Sequence, residues 1–140
     1  IPALRQAEYV RYGVMHRNTY LNAPKLLDRY YRVRGNERIV FAGQITGVEG
    51  YVESTASGFL AGVELARRLL GREPADFPRE TAIGALAAYV SNESVADFQP
   101  MNINFGIMPP LDHKVKGKRN KNGLLSRRSL DIVDALKERL

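Results

Sequence analysis

The pattern of apolar and polar positions first indicates a long helix in the middle of the chain. Between Tyr51 and Leu70, apolar and small residues recur at the spacing that places them on one helical face. This segment ends with two arginines and is followed by Gly71 and Pro74, which together form a cationic last turn, a C-terminal glycine and a following proline. We therefore predict a helix over residues 51–70.

Shorter patterns on either side predict a mixture of strands and helices. Before the long helix, "ERIVFAG" is a short apolar run of the kind found in buried strands. After it, "MNINFGIM" alternates apolar and polar residues with a period of two, which predicts a strand or an extended segment. The other predicted elements are extended chain with one helical turn over 24–29, the short strand over 38–41, a helix over 78–90 and an amphipathic helix over 129–140.

Length and composition limit the class of protein. With 140 residues, of which 44% are hydrophobic, the chain has the size of one globular domain. It has no apolar run near the roughly 20 residues that cross a bilayer, so we expect a cytoplasmic location. It contains no cysteine and two distant histidines, which predicts no disulfide, no thiolate nucleophile and no metal site. Because the first residue is not methionine, we also expect the chain to be part of a longer protein.

The junction before the long helix is rich in small residues. The stretch "FAGQITGVEGYVESTASGFLAG" contains five glycines in 22 positions. Gly43, Gly47 and Gly50 can adopt a positive φ, and because they lack a Cβ they let a ligand approach the backbone. A strand that passes through such a turn into a helix also presents backbone N–H groups, which favour anionic or strongly polar ligands. The segment predicts a ligand-binding strand–turn–helix unit, as found at the carboxyl ends of strands in open α/β sheets.

Two further features of this junction bear on that hypothesis. Small residues recur every four positions along the helix, at Ser54, Gly58, Gly62 and Ala66, which predicts close packing on a sheet. The dinucleotide fingerprint G-x-G-x-x-G is absent, and glycines at such a junction are more often tight-turn residues than ligand contacts. Spacing alone therefore predicts no more than a turn in contact with a cofactor, with N–H groups that face an open pocket.

The positive charge is concentrated towards the end of the chain. The formal net charge is +6, and residues 114–128 contain seven basic residues and no acid. Such a run can neutralise nucleic-acid phosphates, a contribution that is independent of base sequence and is weakened by salt. It is also typical of a solvated surface, and no aromatic residue is interleaved for base stacking. The candidate RNA contacts are Lys114, Lys116, Lys118, Arg119, Lys121, Arg127 and Arg128.

Four motifs resemble the GidA-related family of tRNA-modifying FAD proteins. They are the glycine-rich stretch with its "GVEGYVES", then "GVMHRNTYLNAPKLL", "ETAIGALAAYV" and "FQPMNINFGIMPPL", and the resemblance extends over nearly all of the chain. The branch of the family that makes carboxymethylaminomethyl-uridine would have "GTTGYEEA" in place of "GVEGYVES". The sequence is therefore more similar to the branch of folate- and FAD-dependent tRNA (uracil-5-)-methyltransferases.

The resemblance implies a fold and an activity. The implied fold is α/β, with residues 1–73 as the C-terminal part of a Rossmann-like FAD/NAD(P)-binding domain and residues 74–140 as a small appended α+β segment that carries the basic run. The implied activity is methylation of C5 of a T-loop uridine in tRNA, with methylenetetrahydrofolate as carbon donor and reducing equivalents from NAD(P)H through FAD. The family's catalytic cysteines would lie outside this chain, so we expect no catalytic residue in it. Two alternatives stay open: a related flavoprotein with different chemistry, and a non-catalytic RNA-binding fragment.

The same resemblance implies which residues contact FAD. The backbone of Gly43 and Gln44 would approach the ribityl and pyrophosphate groups, and the N–H groups of the following turn would meet the N1/O2 edge of the isoalloxazine. Tyr51 would stack on the ring system, although from the residues alone a core aromatic at a helix start is the favoured interpretation. The complete predicted cofactor-binding set is Gly43, Gln44, Gly47, Val48, Glu49, Gly50 and Tyr51.

Three other residues are weaker candidates. His16 and Arg17 lie in a "MHRNT" segment that the resemblance places near the cofactor, but a lone histidine is more often structural than catalytic. For Glu53 the favoured interpretation is a carboxylate that complements the dipole at the helix start.

Overall fold

The computed structural model describes residues 1–11, 13 and 18–140, and these residues form mainly helices with one small sheet. In chain order the elements are a 3-10 helix Pro2–Leu4, helix α1 Ala23–Leu26, strand β1 Arg32–Val33, strand β2 Asn36–Val40, a 3-10 helix Gly43–Thr46, and helices α2 Tyr51–Leu69, α3 Ala82–Val90 and α4 Lys118–Lys137. The predicted helical turn near Pro24 is therefore present as α1. Within the described part of the chain, no helix is long and apolar enough to cross a membrane.

The strands β1 and β2 form an antiparallel hairpin. Arg32 pairs with Val40 and Val33 pairs with Asn36, with an irregular register between the two pairs. The predicted strand over 38–41 is confirmed in position by β2, but the expectation that it is buried is wrong, because every residue of β2 except Val40 is exposed. The described part of the chain thus contains both helices and strands, as expected for an α/β chain. Its strands form this one two-stranded sheet.

Helix α2 confirms the predicted long helix and ends as the sequence signals indicate. Gly71 adopts a φ of 66° just beyond the helix. Its N–H donates to the carbonyl oxygen of Arg68 at 3.0 Å, and the N–H of Arg72 donates to that of Arg67 at 2.8 Å. These two bonds satisfy carbonyl groups of the last turn, and they require a left-handed residue at position 71. The buried residues of α2 are Ser57, Leu60, Ala61 and Glu64.

Helix α3 begins later than predicted, at Ala82 rather than near Pro78. The reason is Thr81, whose hydroxyl oxygen accepts the N–H of Gly84 at 3.0 Å and donates to the carbonyl oxygen of Pro78 at 2.7 Å. Thr81 is therefore the N-cap of the helix, and the residues before it form the preceding turn.

Helix α4 is longer than the predicted helix over 129–140. Gly117 precedes it with a φ of 85°, and the helix then includes five of the seven basic residues of the run. Its buried residues, Leu125, Ser129 and Leu136, lie on the side that meets the rest of the chain. A run that resembles a solvated surface in sequence is therefore the outer face of an anchored helix.

The segment 101–108 is not a regular strand. Met101 forms a single parallel bridge with Val48. Beyond it, Nδ2 of Asn102 donates to a carbonyl oxygen of the glycine turn at 3.1 Å, and Oδ1 of Asn104 accepts the N–H two residues later at 2.9 Å. Such bonds between side chain and backbone compete with a strand ladder. Of the two predicted alternatives, a strand or an extended segment, the strand is therefore wrong beyond Met101.

One apolar core joins the helices and contains residues from both sides of the predicted boundary at residue 73. Phe98 belongs to it, and the centroid of its ring lies 6.2 Å from that of Tyr20 and 5.5 Å from that of Tyr89. The division into segments 1–73 and 74–140 stays a prediction. The largest buried apolar side chains of this core include Leu27, Tyr31, Val48, Leu60, Leu86, Val90, Phe98 and Leu136.

Burial of Tyr31 makes the stability of the fold sensitive to high pH. The residue is 1% exposed, and burial raises the pKa of its phenol well above the usual value of 10.0. Below that value the phenol is neutral in both states. Above it, the unfolded chain releases a proton that the folded chain keeps, so stability falls as the pH rises.

We predict that Tyr31→Phe changes the free energy of unfolding at neutral pH by less than about 1.5 kcal/mol, because the ring is retained. The loss of stability above about pH 10 should become smaller than in the wild type. Urea unfolding as a function of pH measures both effects. Tyr51→Phe, at a residue that is 95% exposed, is the matched control and should leave the pH dependence unchanged. Equal alkaline losses in the wild type and Tyr31→Phe would contradict the prediction.

Candidate functional site

Three glycines shape the turn between β2 and α2. Gly43, Gly47 and Gly50 have φ values of 75°, 84° and 96°, so the predicted positive φ is confirmed at all three positions. Gly50 combines its φ of 96° with a ψ of 147°, a region that is essentially limited to glycine. The chain makes one 3-10 turn after Gly43 and enters α2 directly after Gly50.

Several N–H groups of this turn are already used inside the chain. The N–H of Gly43 donates to Oγ of Ser57 at 2.7 Å, that of Gly47 to a carbonyl oxygen of the 3-10 turn at 3.0 Å, and that of Glu49 to the carbonyl oxygen of Met101 at 3.0 Å. The expectation that the turn presents its amides to an open pocket is wrong for these three. The first turn of α2 has no side-chain cap, so it still offers N–H donors to a ligand.

The predicted cofactor-binding residues divide into a buried floor and an exposed rim. Gly47 and Val48 are buried, Gly43 and Glu49 are intermediate, and Gln44, Gly50 and Tyr51 are exposed. Tyr51 is 95% exposed, so its interpretation as a core aromatic is wrong for this chain. A ligand can therefore reach the Tyr51 ring and the Gly50 backbone, whereas Val48 can act only through the shape of the floor.

Phe98 and Asn102 pack against this turn, although their sequence pattern predicted no role for them. A Cβ placed on Gly47 would overlap the ring of Phe98, and one on Gly50 would lie 2.9 Å from Nδ2 of Asn102. Asn102 also donates to the carbonyl oxygen of Glu49, 53 residues earlier, at 3.1 Å. Both residues lie in "FQPMNINFGIMPPL", but no local pattern in that motif indicates its contact with the glycine turn.

The ridge of small residues on α2 faces open space. In the described part of the chain, no atom other than those of the adjacent residues and the helix's own backbone lies within 4 Å of the position that a Cβ would take on Gly58 or Gly62. At the start of the ridge, Cβ of Ser54 lies 3.8 Å from the corresponding position on Gly43. The sheet on which the ridge was predicted to pack is therefore not supplied by the described residues.

The predicted RNA contacts surround the start of α4. Lys114, Lys116 and Lys121 line a hollow of about 630 Å³, whereas Lys118 lines a separate hollow of about 650 Å³. Arg119 lines neither of them, and all five side chains are exposed.

The position of these cations is electrostatically unusual. The first turn of α4 contains no acid, and three of the five cations lie at the end of the helix where the dipole is positive. This arrangement disfavours the isolated helix and favours an anion at the surface. The start of α4 is thus a concentrated positive surface.

Arg128 has a structural role instead. Its two terminal nitrogens donate to the carbonyl oxygens of Pro110 at 2.9 Å and Pro109 at 2.6 Å. These bonds attach α4 to the preceding loop, so Arg128 is not free to hold a phosphate. Arg127 is exposed and stays a candidate.

The remaining candidates add little to the site. His16 and Arg17 lie outside the described residues. Glu53 lies in the first turn of α2 with its carboxylate beside Gly50, a position that complements the helix dipole. Among the described residues, no group of histidine and acidic side chains could hold a metal ion.

Comparison with known proteins finds one family and a set of similar enzymes. The sequence model of the family described as "Glucose inhibited division protein A" matches residues 1–73. The chain is 56%, 51% and 54% identical, over 139, 140 and 134 residues, to the methylenetetrahydrofolate–tRNA-(uracil-5-)-methyltransferases TrmFO of Natranaerobius thermophilus, Pelotomaculum thermopropionicum and Geobacter sulfurreducens. These matches cover 99%, 100% and 96% of this chain and 32%, 32% and 31% of the relatives. The chain thus spans about a third of the length of the curated relatives it matches.

The packing of Phe98 beneath Gly47 gives a prediction for stability. We expect Gly47→Ala to lower the free energy of unfolding. The φ of 84° is strained for alanine by about 1 to 3 kcal/mol, and the contact of the new Cβ with the Phe98 ring adds to this loss. Urea unfolding measures this loss. Gly123→Ala is the matched control: it lies within α4 with no atom near its Cβ position, so it should stabilise by about 0.5 to 1 kcal/mol. An unchanged midpoint in Gly47→Ala would contradict the assigned packing.

Proposed function

The chain belongs to the glucose inhibited division protein A family, and we propose that it is the C-terminal part of a flavoenzyme that methylates C5 of a T-loop uridine in tRNA. Methylenetetrahydrofolate is the proposed carbon donor, NAD(P)H the proposed source of reducing equivalents, and the cytoplasm the proposed location. The proposal is supported by identities of 51–56% to enzymes named for this methyl transfer, over nearly the whole chain. Under it, residues 1–73 complete a Rossmann-like FAD-binding domain, and residues 74–140 form the appended segment.

The structural observation that carries the proposal is the exposed rim of the glycine turn. Gly50 is exposed, with the side chains of Glu53 and Asn102 packed where a Cβ would lie, and the adjacent Tyr51 ring is almost fully exposed. A flat ring system such as isoalloxazine can stack on tyrosine, which contributes on the order of 1 kcal/mol beyond burial. The residues present therefore fit FAD, which when bound supplies the redox chemistry of the reaction.

The hydrogen bonds of the turn decide how each residue would contribute to FAD binding. The amides of Gly43, Gly47 and Glu49 are bonded within the chain, so these residues would act through backbone shape and not as donors. The start of α2, which has no side-chain cap, would offer N–H donors to an electron-rich group of the cofactor. Gln44 and Tyr51 would supply the exposed side chains of the site.

The chain would bind and position the reactants and would not react with them. It contains no cysteine, so under this proposal the family's catalytic cysteines lie outside it. Its second task would be to hold tRNA phosphates at the start of α4. The exposed cations proposed for that contact are Lys114, Lys116, Lys118, Arg119 and Lys121.

We predict that Gly50→Val in the intact protein abolishes stable flavin binding. A β-branched residue at a φ of 96° is strained by about 1 to 3 kcal/mol, and its Cβ would displace the side chains of Glu53 and Asn102 at the rim. Flavin absorbance per protein after gel filtration measures the loss. Gly35→Val is the matched control, because Gly35 also has a positive φ of 80° but lies in the open hairpin turn, so flavin should be retained. If Gly50→Val retains its full flavin content, the turn does not contact the cofactor.

Tyr51→Ala should behave differently from Gly50→Val. We expect flavin to be retained, because the backbone of the turn is unchanged, and single-turnover methylation of tRNA to slow by roughly fivefold to tenfold as stacking is lost. Tyr51→Phe keeps the ring and should keep the rate. A fully active Tyr51→Ala protein would exclude the stacking role.

The hollow lined by Lys114, Lys116 and Lys121 gives a separate prediction for RNA binding. Reversing Lys114 and Lys121 to glutamate should raise the Kd for tRNA at least about tenfold and lower the salt dependence of binding by about two phosphate contacts. Flavin content should not change. The control reverses Arg5 and Lys25, two exposed cations outside this hollow, and alters the net charge equally. If both double variants weaken binding to the same extent, the hollow is not a specific contact.

A further inference from the structure

The hollow that contains Lys118 lies between α4 and the segment 101–108. Its volume is about 650 Å³, within the range of roughly 300 to 1,000 Å³ that is typical of ligand pockets. Of the described residues that line it, none is an aspartate or a glutamate. Its lining would therefore not repel an anionic ligand.

One line of side chains along α4 forms a wall of this hollow. Lys118, Asn122, Ser126 and Leu130 recur every four residues and all line it, as expected for a single face of a helix. The line changes from a cation, through an amide and a hydroxyl, to an apolar side chain. Within the part of the chain that is described, the side chains of Asn122 and Ser126 form no hydrogen bond, so their donors and acceptors are available to a ligand.

The segment 101–108 contributes an aromatic side chain to the same hollow. Phe105 lines it and is 41% exposed. The loop around Phe105 is braced by Asn104, whose Oδ1 accepts the N–H of Gly106 at 2.9 Å and whose Nδ2 lies 3.3 Å from Sδ of Met101. The aromatic ring is thus held at the surface by a loop with its own hydrogen bonds.

These groups match the chemistry of a single unstacked nucleotide. Proteins that recognise single-stranded RNA stack a base on an aromatic ring, bond its edge with polar side chains and hold its phosphate with a cation. The basic run alone contains no aromatic residue, which limits it to phosphate contacts. The fold supplies the missing ring from Phe105, 13 residues before Lys118 in the sequence.

We propose that this hollow binds one unstacked nucleotide of tRNA, with its base on Phe105, the base edge at Asn122 and Ser126, and its phosphate at Lys118. The inference rests on the proposed function, since it takes tRNA as the substrate. Met101 is hydrogen-bonded to the glycine turn, and Phe105 follows four residues later, at most about 14 Å away. The bound nucleotide would therefore lie close to the uridine at the cofactor, and the surface would contact a base as well as phosphates.

The test measures the Kd of the intact protein for its substrate tRNA at several salt concentrations. Phe105→Leu should raise the Kd roughly 5- to 100-fold, because leucine fills space but does not stack, whereas Phe105→Tyr should restore it. Asn122→Ala should raise the Kd by about threefold to tenfold. Both losses should leave the salt dependence unchanged, while Lys118→Gln should lower it by about one phosphate contact. Leu124→Ala, at an exposed leucine of α4 that does not line this hollow, is the control and should bind as the wild type does.

The outcomes separate this inference from the proposed function. If the wild type neither binds nor methylates tRNA, the proposed function fails and this inference fails with it. If the wild type does both but Phe105→Leu and Asn122→Ala bind tRNA normally, this inference alone is overturned. If these two variants keep the Kd for tRNA but show a raised KM for methylenetetrahydrofolate, the inference is also overturned, because the hollow would then bind the folate. If Phe105→Leu does not fold, as judged by circular dichroism, the exposed Lys118→Gln and the α4 variant Asn122→Ala decide the question.

Discussion

The contact between Gly47 and Phe98 is the constraint on which the arrangement of the candidate site depends. The Phe98 ring occupies the space that a side chain at position 47 would need, so the glycine turn can close on the later segment only because it has no Cβ there. The bridge between Val48 and Met101 fixes the same contact by backbone hydrogen bonds. Because the segment 101–108 continues from this bridge to the hollow beside α4, the turn and the basic surface are parts of one connected structure.

Local signals in the sequence predicted the elements that local interactions determine. The end of α2 was predictable because Gly71 and the preceding arginines act within one turn of the helix. The segment 101–108 was not, since its asparagine side chains bond to backbone groups and interrupt the ladder that its alternating pattern predicts. The start of α4 is not indicated for a different reason: between 118 and 128 the residues are mostly polar or basic and Leu125 is the one buried residue, so no apolar face is visible there.

In the candidate site, too, the sequence predicts local backbone features but not contacts between distant segments. The positive φ of Gly43, Gly47 and Gly50 is permitted by residue type, and the glycine-rich pattern predicts it. The directions of the amides do not follow from residue type, because the partner of the Glu49 N–H is the carbonyl oxygen of Met101, far along the chain. The different roles of Arg127 and Arg128 are likewise decided by the two proline carbonyl groups within reach of Arg128. Sequence therefore indicates which residues can form a site, and tertiary contacts decide which of their atoms are free.

The start of α4 shows how the fold supports a surface that would be unstable by itself. Cations at the positive end of a helix dipole are unfavourable by a few tenths of a kcal/mol to about 1 kcal/mol each, and three of them lie there without an acid in the first turn. The helix is held by contacts further along its length, where Leu125 and Leu136 are buried and Arg128 is bonded to the preceding loop. Because these contacts lie on the inner side, the charged residues of the outer side need no partner within the described chain to stay in place. A polyanion that binds at the start of α4 would relieve this repulsion, so the same charges that weaken the free helix would strengthen the complex.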